Sequence, residues 1–120
     1  MGLASLEEAV QLIEGLFVGR DANDLLAMLW TWQHADISAN SRYNGDFTAA
    51  LGAIRARAIV MPSETDLYFR VRDNQLEVEL MPNAKLRPIP SIWGHAAALG
   101  VNPADNEFID TVLRELLASS

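Results

Sequence analysis

The second half of the chain reads strand, helix, strand, helix, an order that predicts an α/β fold with parallel strands. Three observations carry it. Ala58-Ile59-Val60-Met61 is a short β-prone apolar run closed by Pro62, which fits a strand buried on both faces. Val71 to Leu80 has helical character, and Lys85 to Ile89 is a second β-prone run. Strands joined by a helix pair in parallel through a right-handed crossover. Pro88 cannot donate to a ladder, so the second strand belongs at a sheet edge. Two such strands leave an inner edge unpaired, an arrangement proteins usually cover, and this implies a missing neighbour on the N-terminal side.

The first half is helical. Leu6, Val10, Ile13 and Phe17 recur at helical spacing, Ser5 is placed to cap, and Glu8 to complete a capping box. Gly19 ends this helix and Asp21 starts another, carrying Leu25, Leu26, Met28, Leu29, Trp30 and Trp32. That helix is apolar around most of its circumference and needs partners on several sides. Ser38 to Asp46 is a polar loop, and Asp46 caps a short helix through Ile54. At the C-terminal end, Asn102 caps a last helix with Pro103 at its first position and Asp105 in its first turn. Its expected buried stripe is Phe108, Ile109, Val112, Leu113, Leu116 and Leu117. The chain therefore divides into a helical segment, residues 1–45, and an α/β segment, residues 46–120.

Composition narrows the function. At 120 residues, half of them apolar, the chain fits one domain with a core. A net charge of −7 argues against nucleic acid, because phosphate binding needs clustered Lys and Arg. The basic cluster Arg55-Ala56-Arg57 reads as a solvated strand entry. With no cysteine, disulfides, thiolate catalysis and Cys-ligated metals are excluded. No signal peptide and no apolar run near ~18 residues appear, so a cytoplasmic protein without a membrane span is expected.

Two residues stand out chemically. Asp66 follows the first strand through the turn Pro62-Ser63-Glu64-Thr65, and His95 follows a second strand-like pattern in Ile92-Trp93-Gly94-His95. Active sites of open α/β sheets gather beyond the carboxyl ends of strands. In a Ser-His-Asp triad the His moves the proton and the Asp fixes its tautomer. The plainer readings are a turn or cap residue for Asp66 and a loop histidine packed beside Trp93 for His95. A nucleophile elbow, Gly-x-Ser-x-Gly, should precede them; Ser5, Ser38, Ser41, Ser63, Ser91, Ser119 and Ser120 all lack that setting. Trp93 is a candidate substrate contact. Trp30 and Trp32 suit core or lid packing better than an acyl pocket. His34 sits at a helix C-terminus, where the dipole favours it. His34, His95 and the carboxylates show no metal-ligand spacing. Gly15, Gly19, Gly45 and Gly52 form no phosphate loop, and Glu7, Glu8, Glu77 and Glu79 read as solvated helix faces.

The segment Asp21 to Leu26 resembles the lid helix of the homoserine O-acetyltransferase group of α/β-hydrolases. The run Ile59 to Phe69 resembles that group's acid-bearing strand and loop. Met81-Pro82-Asn83-Ala84-Lys85-Leu86 resembles its approach to the last strand, and Gly94-His95 its histidine turn. The resemblance runs from Leu6 to Leu117. It implies the C-terminal part of an α/β-hydrolase fold, with Leu6 to Asn44 in the lid, Asp66 as triad acid and His95 as general base. The family's nucleophile-bearing N-terminal part is absent. Homoserine-specific members usually carry an aspartate directly after the histidine; here it is Ala96, which argues against homoserine.

Three readings follow. The first is part of an acyltransferase or esterase whose serine comes from an upstream segment or another chain. Acyl-coenzyme A would be the donor if it is a transferase, and the isolated chain would be inactive. The second is a non-catalytic remnant that self-associates to cover its open strand edge and apolar helices. The third, a small hydrolase using Ser63 or Ser91, lacks an elbow and an oxyanion hole.

Overall fold

Ser5 opens the first helix, α1 (Leu6–Gly15), by accepting the Glu8 amide on its hydroxyl at 3.2 Å. The computed structural model describes residues 4–118, which fall into two units that divide between Asp36 and Ile37. Glu8 serves the cap differently from a reciprocal box, because its carboxylate accepts from Ala4 at 2.7 Å rather than from Ser5. α1 stops short of Phe17, and Gly19 adopts a left-handed φ of 83° before α2 (Ala22–His34). Asp21 caps α2 by accepting the Asn23 amide at 2.7 Å. No residue of α1 or α2 is buried, and Leu26, Met28, Trp30 and Trp32 are exposed.

The second unit begins with a turn-rich loop. Asn40 Oδ1 accepts from the amides of Arg42 and Tyr43, and the amide of Gly45 returns to the Ser38 carbonyl at 2.9 Å. Ser38 is buried, which ties residues 37–45 to this unit. Asp46 caps α3 (Phe47–Gly52) through the Ala49 amide, 2.9 Å away. β1 (Ala58–Val60) and β2 (Ala84–Leu86) then pair in parallel, with Ala58 opposite Ala84 and Val60 opposite Leu86. α4 (Val71–Leu80) connects them. The pairing outlasts the named strands. Arg87 donates to the Val60 carbonyl, Ile89 to Pro62, and Glu64 back to Ile89. Pro88 falls between the two donating amides, where its missing N–H costs no inter-strand bond. Among the described residues no third strand pairs with β1. The last helix, α5 (Pro103–Ala118), packs on β1, with Asn102 Oδ1 accepting the Ala104 amide at 3.3 Å. No helix among the described residues is long and apolar enough to cross a membrane.

Three expectations fail in detail. The strand-like pattern at Ile92-Trp93 is a bend leading into the 3₁₀ segment Gly94–Leu99, and Ile92 is 90% exposed. Its backbone is diverted by Ser91, whose hydroxyl accepts the Trp93 amide at 3.1 Å, a local bond that competes with a ladder. The stripe of α5 is narrower than expected. Asp105 and Val112 are buried, and Phe108, Ile109 and Leu116 half-buried, but Leu113 and Leu117 face outward. β1 is half-buried rather than enclosed on both faces. The buried apolar residues reduce to Ala50, Leu51, Ile89, Ala97 and Val112 among those described.

Val112 has no exposed surface, whereas Leu117 is 76% exposed. Val112→Ala is expected to lower unfolding free energy by roughly 2 kcal/mol and Leu117→Ala by less than about 0.5 kcal/mol. Urea denaturation of both variants checks the contrast.

Candidate active site

Parallel pairing places the loops that follow β1 and β2 side by side. After β1, the chain turns at Pro62, and the Asp66 amide donates to the Ser63 carbonyl at 3.1 Å. The Asp66 side chain is only 7% exposed. Its Oδ1 accepts the amides of Tyr68 at 2.7 Å and Phe69 at 3.1 Å, shaping the turn that leads to α4. Its Oδ2 lies 3.1 Å from His95 Nδ1. The two readings of Asp66, turn residue and partner of His95, are thus divided between its two oxygens.

Burial pushes the Asp66 carboxyl up. The amides of Phe69 and Tyr68, then the hydrogen bond and charge of the His95 imidazole, outweigh that and hold it below its ordinary value. A carboxylate acceptor keeps the shared proton on Nδ1 and leaves the Nε2 lone pair available for proton transfer. His95 is 54% exposed along its side chain, and its ring packs near Tyr68 and Phe69, at centroid distances of 5.0 and 5.3 Å. Pair and cleft coincide. A cavity of ≈ 250 Å³ is lined by Met61, Ser63, Asp66, Phe69, His95 and Ala97, with neighbouring residues of these loops, Val60 of β1 and Asn74 of α4.

The histidine turn requires Gly94. Its φ is +54°, and a Cβ there would lie 3.2 Å from the Thr65 carbonyl oxygen, so a side chain would be strained and would crowd the acid loop. Thr65 joins the two loops directly. Its hydroxyl donates to the Ser91 carbonyl at 2.9 Å and accepts the Gly94 amide at 3.0 Å. Ser91 in turn donates to Asp105 Oδ2 at 2.6 Å. Sequence pattern does not mark Thr65 or Asp105 as site residues, and it offers Ser91 only as a nucleophile. The only signal was adjacency, Thr65 before the acid and Asp105 in a first turn.

The other candidates are placed elsewhere. Trp93 is half-buried and does not line the cleft; its amide serves Ser91. His34 Nδ1 donates to the Trp30 carbonyl one turn earlier, 2.7 Å away, and the two rings stack at 4.3 Å. Ser91 directs its hydroxyl to Asp105, and Ser63 directs its own to the Ser91 carbonyl at 3.4 Å, so neither is set against His95 as a nucleophile. Among the described residues no group of three His, Asp or Glu side chains is placed to hold a metal ion.

No protein-family model matches the chain. Over 99% of its length it is 39% identical to a protein of Corynebacterium glutamicum named a probable esterase. Over the same share it is 37% identical to an ethyl acetate hydrolase of Pseudomonas veronii. Two solved structures superpose on 98% of the chain: an acetylester hydrolase from Corynebacterium glutamicum, with a TM-score of 0.89 at 39% identity, and the acetyl esterase MekB, with 0.91 at 37%. Its relatives are ester hydrolases. The chain spans 34% of the length of each, about a third. Its small parallel sheet with flanking helices is compatible with part of an α/β fold. The relatives' names are those of esterases and not of a homoserine acetyltransferase, which fits Ala96 after the histidine.

The depressed Asp66 pKa has a definite sign. The ionised carboxylate is favoured by folding, so its contribution is complete above the unfolded pKa and is lost as pH falls through the lower folded value. Unfolding free energy is expected to drop on acidification below about pH 4, and to drop less steeply in Asp66→Asn. Urea titrations at a series of pH values compare the two; equal slopes would remove Asp66 from the account.

Proposed function

We propose that the chain is the lid helices and C-terminal core of an α/β-hydrolase-type ester hydrolase acting on small acetyl esters. Asp66 is the triad acid, His95 the general base, and the nucleophilic serine comes from a segment outside these 120 residues. The observation that carries this reading is the Asp66–His95 hydrogen bond, 3.1 Å, at a cleft beyond the carboxyl ends of two parallel strands. Similarity to acetyl ester hydrolases along almost the whole chain supports the substrate class.

The steps follow from where the proton can go. The serine hydroxyl attacks the ester carbonyl as His95 Nε2 takes its proton, and Asp66 stabilises the resulting imidazolium at Nδ1. His95 then protonates the departing alkoxide, leaving an acetyl-serine. Water, deprotonated by the same nitrogen, attacks the acyl group; the bond to the serine oxygen breaks, His95 returns the proton to that oxygen, and acetate leaves. Half-exposure of His95 beside a largely buried Asp66 suits these roles, since the base must reach the substrate and the acid need not. An alcohol in place of water would turn the same intermediate to acyl transfer, with acyl-coenzyme A as a donor in that case.

The test joins the chain to its serine-bearing segment, identified by sequencing the DNA upstream of the Met1 codon. The joined protein is expected to hydrolyse ethyl acetate, His95→Ala to lower kcat by roughly 10⁴-fold or more, and the isolated chain to show no hydrolysis above buffer. Full activity in His95→Ala would overturn the assignment. Acetyl transfer from acetyl-coenzyme A in preference to ester hydrolysis would replace the esterase with a transferase.

A second reading concerns the chain alone. The exposed apolar residues of α2, Leu26, Met28, Trp30 and Trp32 among them, favour self-association of a non-catalytic domain. Sedimentation is expected to show an oligomer, and a stable monomer at high concentration would contradict it.

A further inference from the structure

The Asp66–His95 bond joins two loops that no covalent or regular secondary-structure element holds in register at that point. β1 and β2 stop pairing at Ser63 and Ile89, and both residues of the pair lie beyond. What spans the remaining gap is a set of side-chain hydrogen bonds centred on Thr65 and Ser91. Thr65 adjoins the acid and bonds the residue before the base: its hydroxyl accepts the Gly94 amide at 3.0 Å while donating to the Ser91 carbonyl at 2.9 Å. The hydroxyl therefore uses its one proton and a lone pair on the same opposing loop. Ser91 is anchored from behind by Asp105, buried in the first turn of α5, at 2.6 Å, and holds the Trp93 amide at 3.1 Å. The bend 91–95 is thus held at its carbonyl, its hydroxyl and two amides.

We infer that Thr65 is the positioning residue that sets His95 on Asp66, with Ser91 and Asp105 as the buried anchor of the loop it grips. The inference rests on the Asp66–His95 pair proposed above as acid and base. It assigns a role to a residue that touches neither substrate nor the reacting nitrogen. The ladder cannot do this work, since its last bonds fall at Ile89 and Glu64. The rings of Tyr68 and Phe69 also meet the His95 ring, at 5.0 and 5.3 Å, but they touch the side chain and not the backbone of the bend. Thr65 fixes the backbone from which that ring hangs.

The ring nitrogens of His95 report the pair without turnover. In the ¹⁵N-labelled chain carrying His34→Gln, which removes the other histidine, long-range ¹H–¹⁵N spectra of the neutral imidazole are expected to show the proton on Nδ1. Thr65→Ser keeps the hydroxyl and is expected to keep that pattern. Thr65→Val keeps the shape and removes both hydrogen bonds; it is expected to shift the ring toward a mixture with the proton on Nε2. In the serine-bearing protein the same substitution is expected to lower kcat at least tenfold with KM little changed, and Thr65→Ser to restore it. Unaltered ring shifts in a folded Thr65→Val, judged by circular dichroism, would overturn the inference. Should Thr65→Val fail to fold, Thr65→Ala decides by the same spectrum, because it removes the same hydroxyl and both of its hydrogen bonds with less bulk; an unchanged Nδ1–H pattern there is equally fatal. A normal spectrum without ester hydrolysis in the joined protein would leave Thr65's role intact and remove the esterase reading.

Discussion

Parallel pairing of β1 with β2 is the interaction on which the rest depends. It is short, three residues on each strand, yet it brings together an acid and an imidazole 29 residues apart in the chain. Parallel strands need a crossover, and α4 supplies it, so both strands point their carboxyl ends the same way. Two loops leaving the same edge of a sheet meet without a long connection. The cleft follows from that geometry, since its lining comes from the residues that end β1, turn after it and follow β2, with Asn74 added from α4.

What the pairing begins, buried polar groups finish. Ser63, Asp66, Ser91 and Asp105 are all buried, and each has its side chain hydrogen-bonded. A buried polar atom without a partner costs about 1–3 kcal/mol, and no such atom is found among the described residues. The polar cluster therefore specifies a loop arrangement that the thin apolar core, Ala50, Leu51, Ile89, Ala97 and Val112 among the described residues, would not specify alone. A core that is slight beside a well-satisfied polar site is consistent with a chain matching a third of the length of its relatives.

The apolar surface of α1 and α2 has the same origin in sequence as that of α5 but a different outcome. α5 buries Val112 against the sheet, while no residue of α1 or α2 is buried. Helical amphipathicity says that a face wants a partner and not what the partner is. Within α2, His34 Nδ1 donates to the Trp30 carbonyl one turn earlier and the two rings stack along the helix.

Sequence by itself determined the order of elements, the parallel sense of the strands, the caps at Ser5, Asp21, Asp46 and Asn102, and Asp66 and His95 as the residues to watch. These are local matters: hydrophobic period, capping chemistry, and the rule that strands joined by a helix run parallel. Tertiary structure alone decided that Leu113 and Leu117 would face outward and that Trp93 would lie off the cleft. It also decided that Thr65, Ser91 and Asp105 would bridge the two loops. Each depends on a partner distant in the chain, 26 residues from Thr65 to Ser91 and 14 from Ser91 to Asp105, and hydrogen bonds across such separations leave no period or motif in sequence.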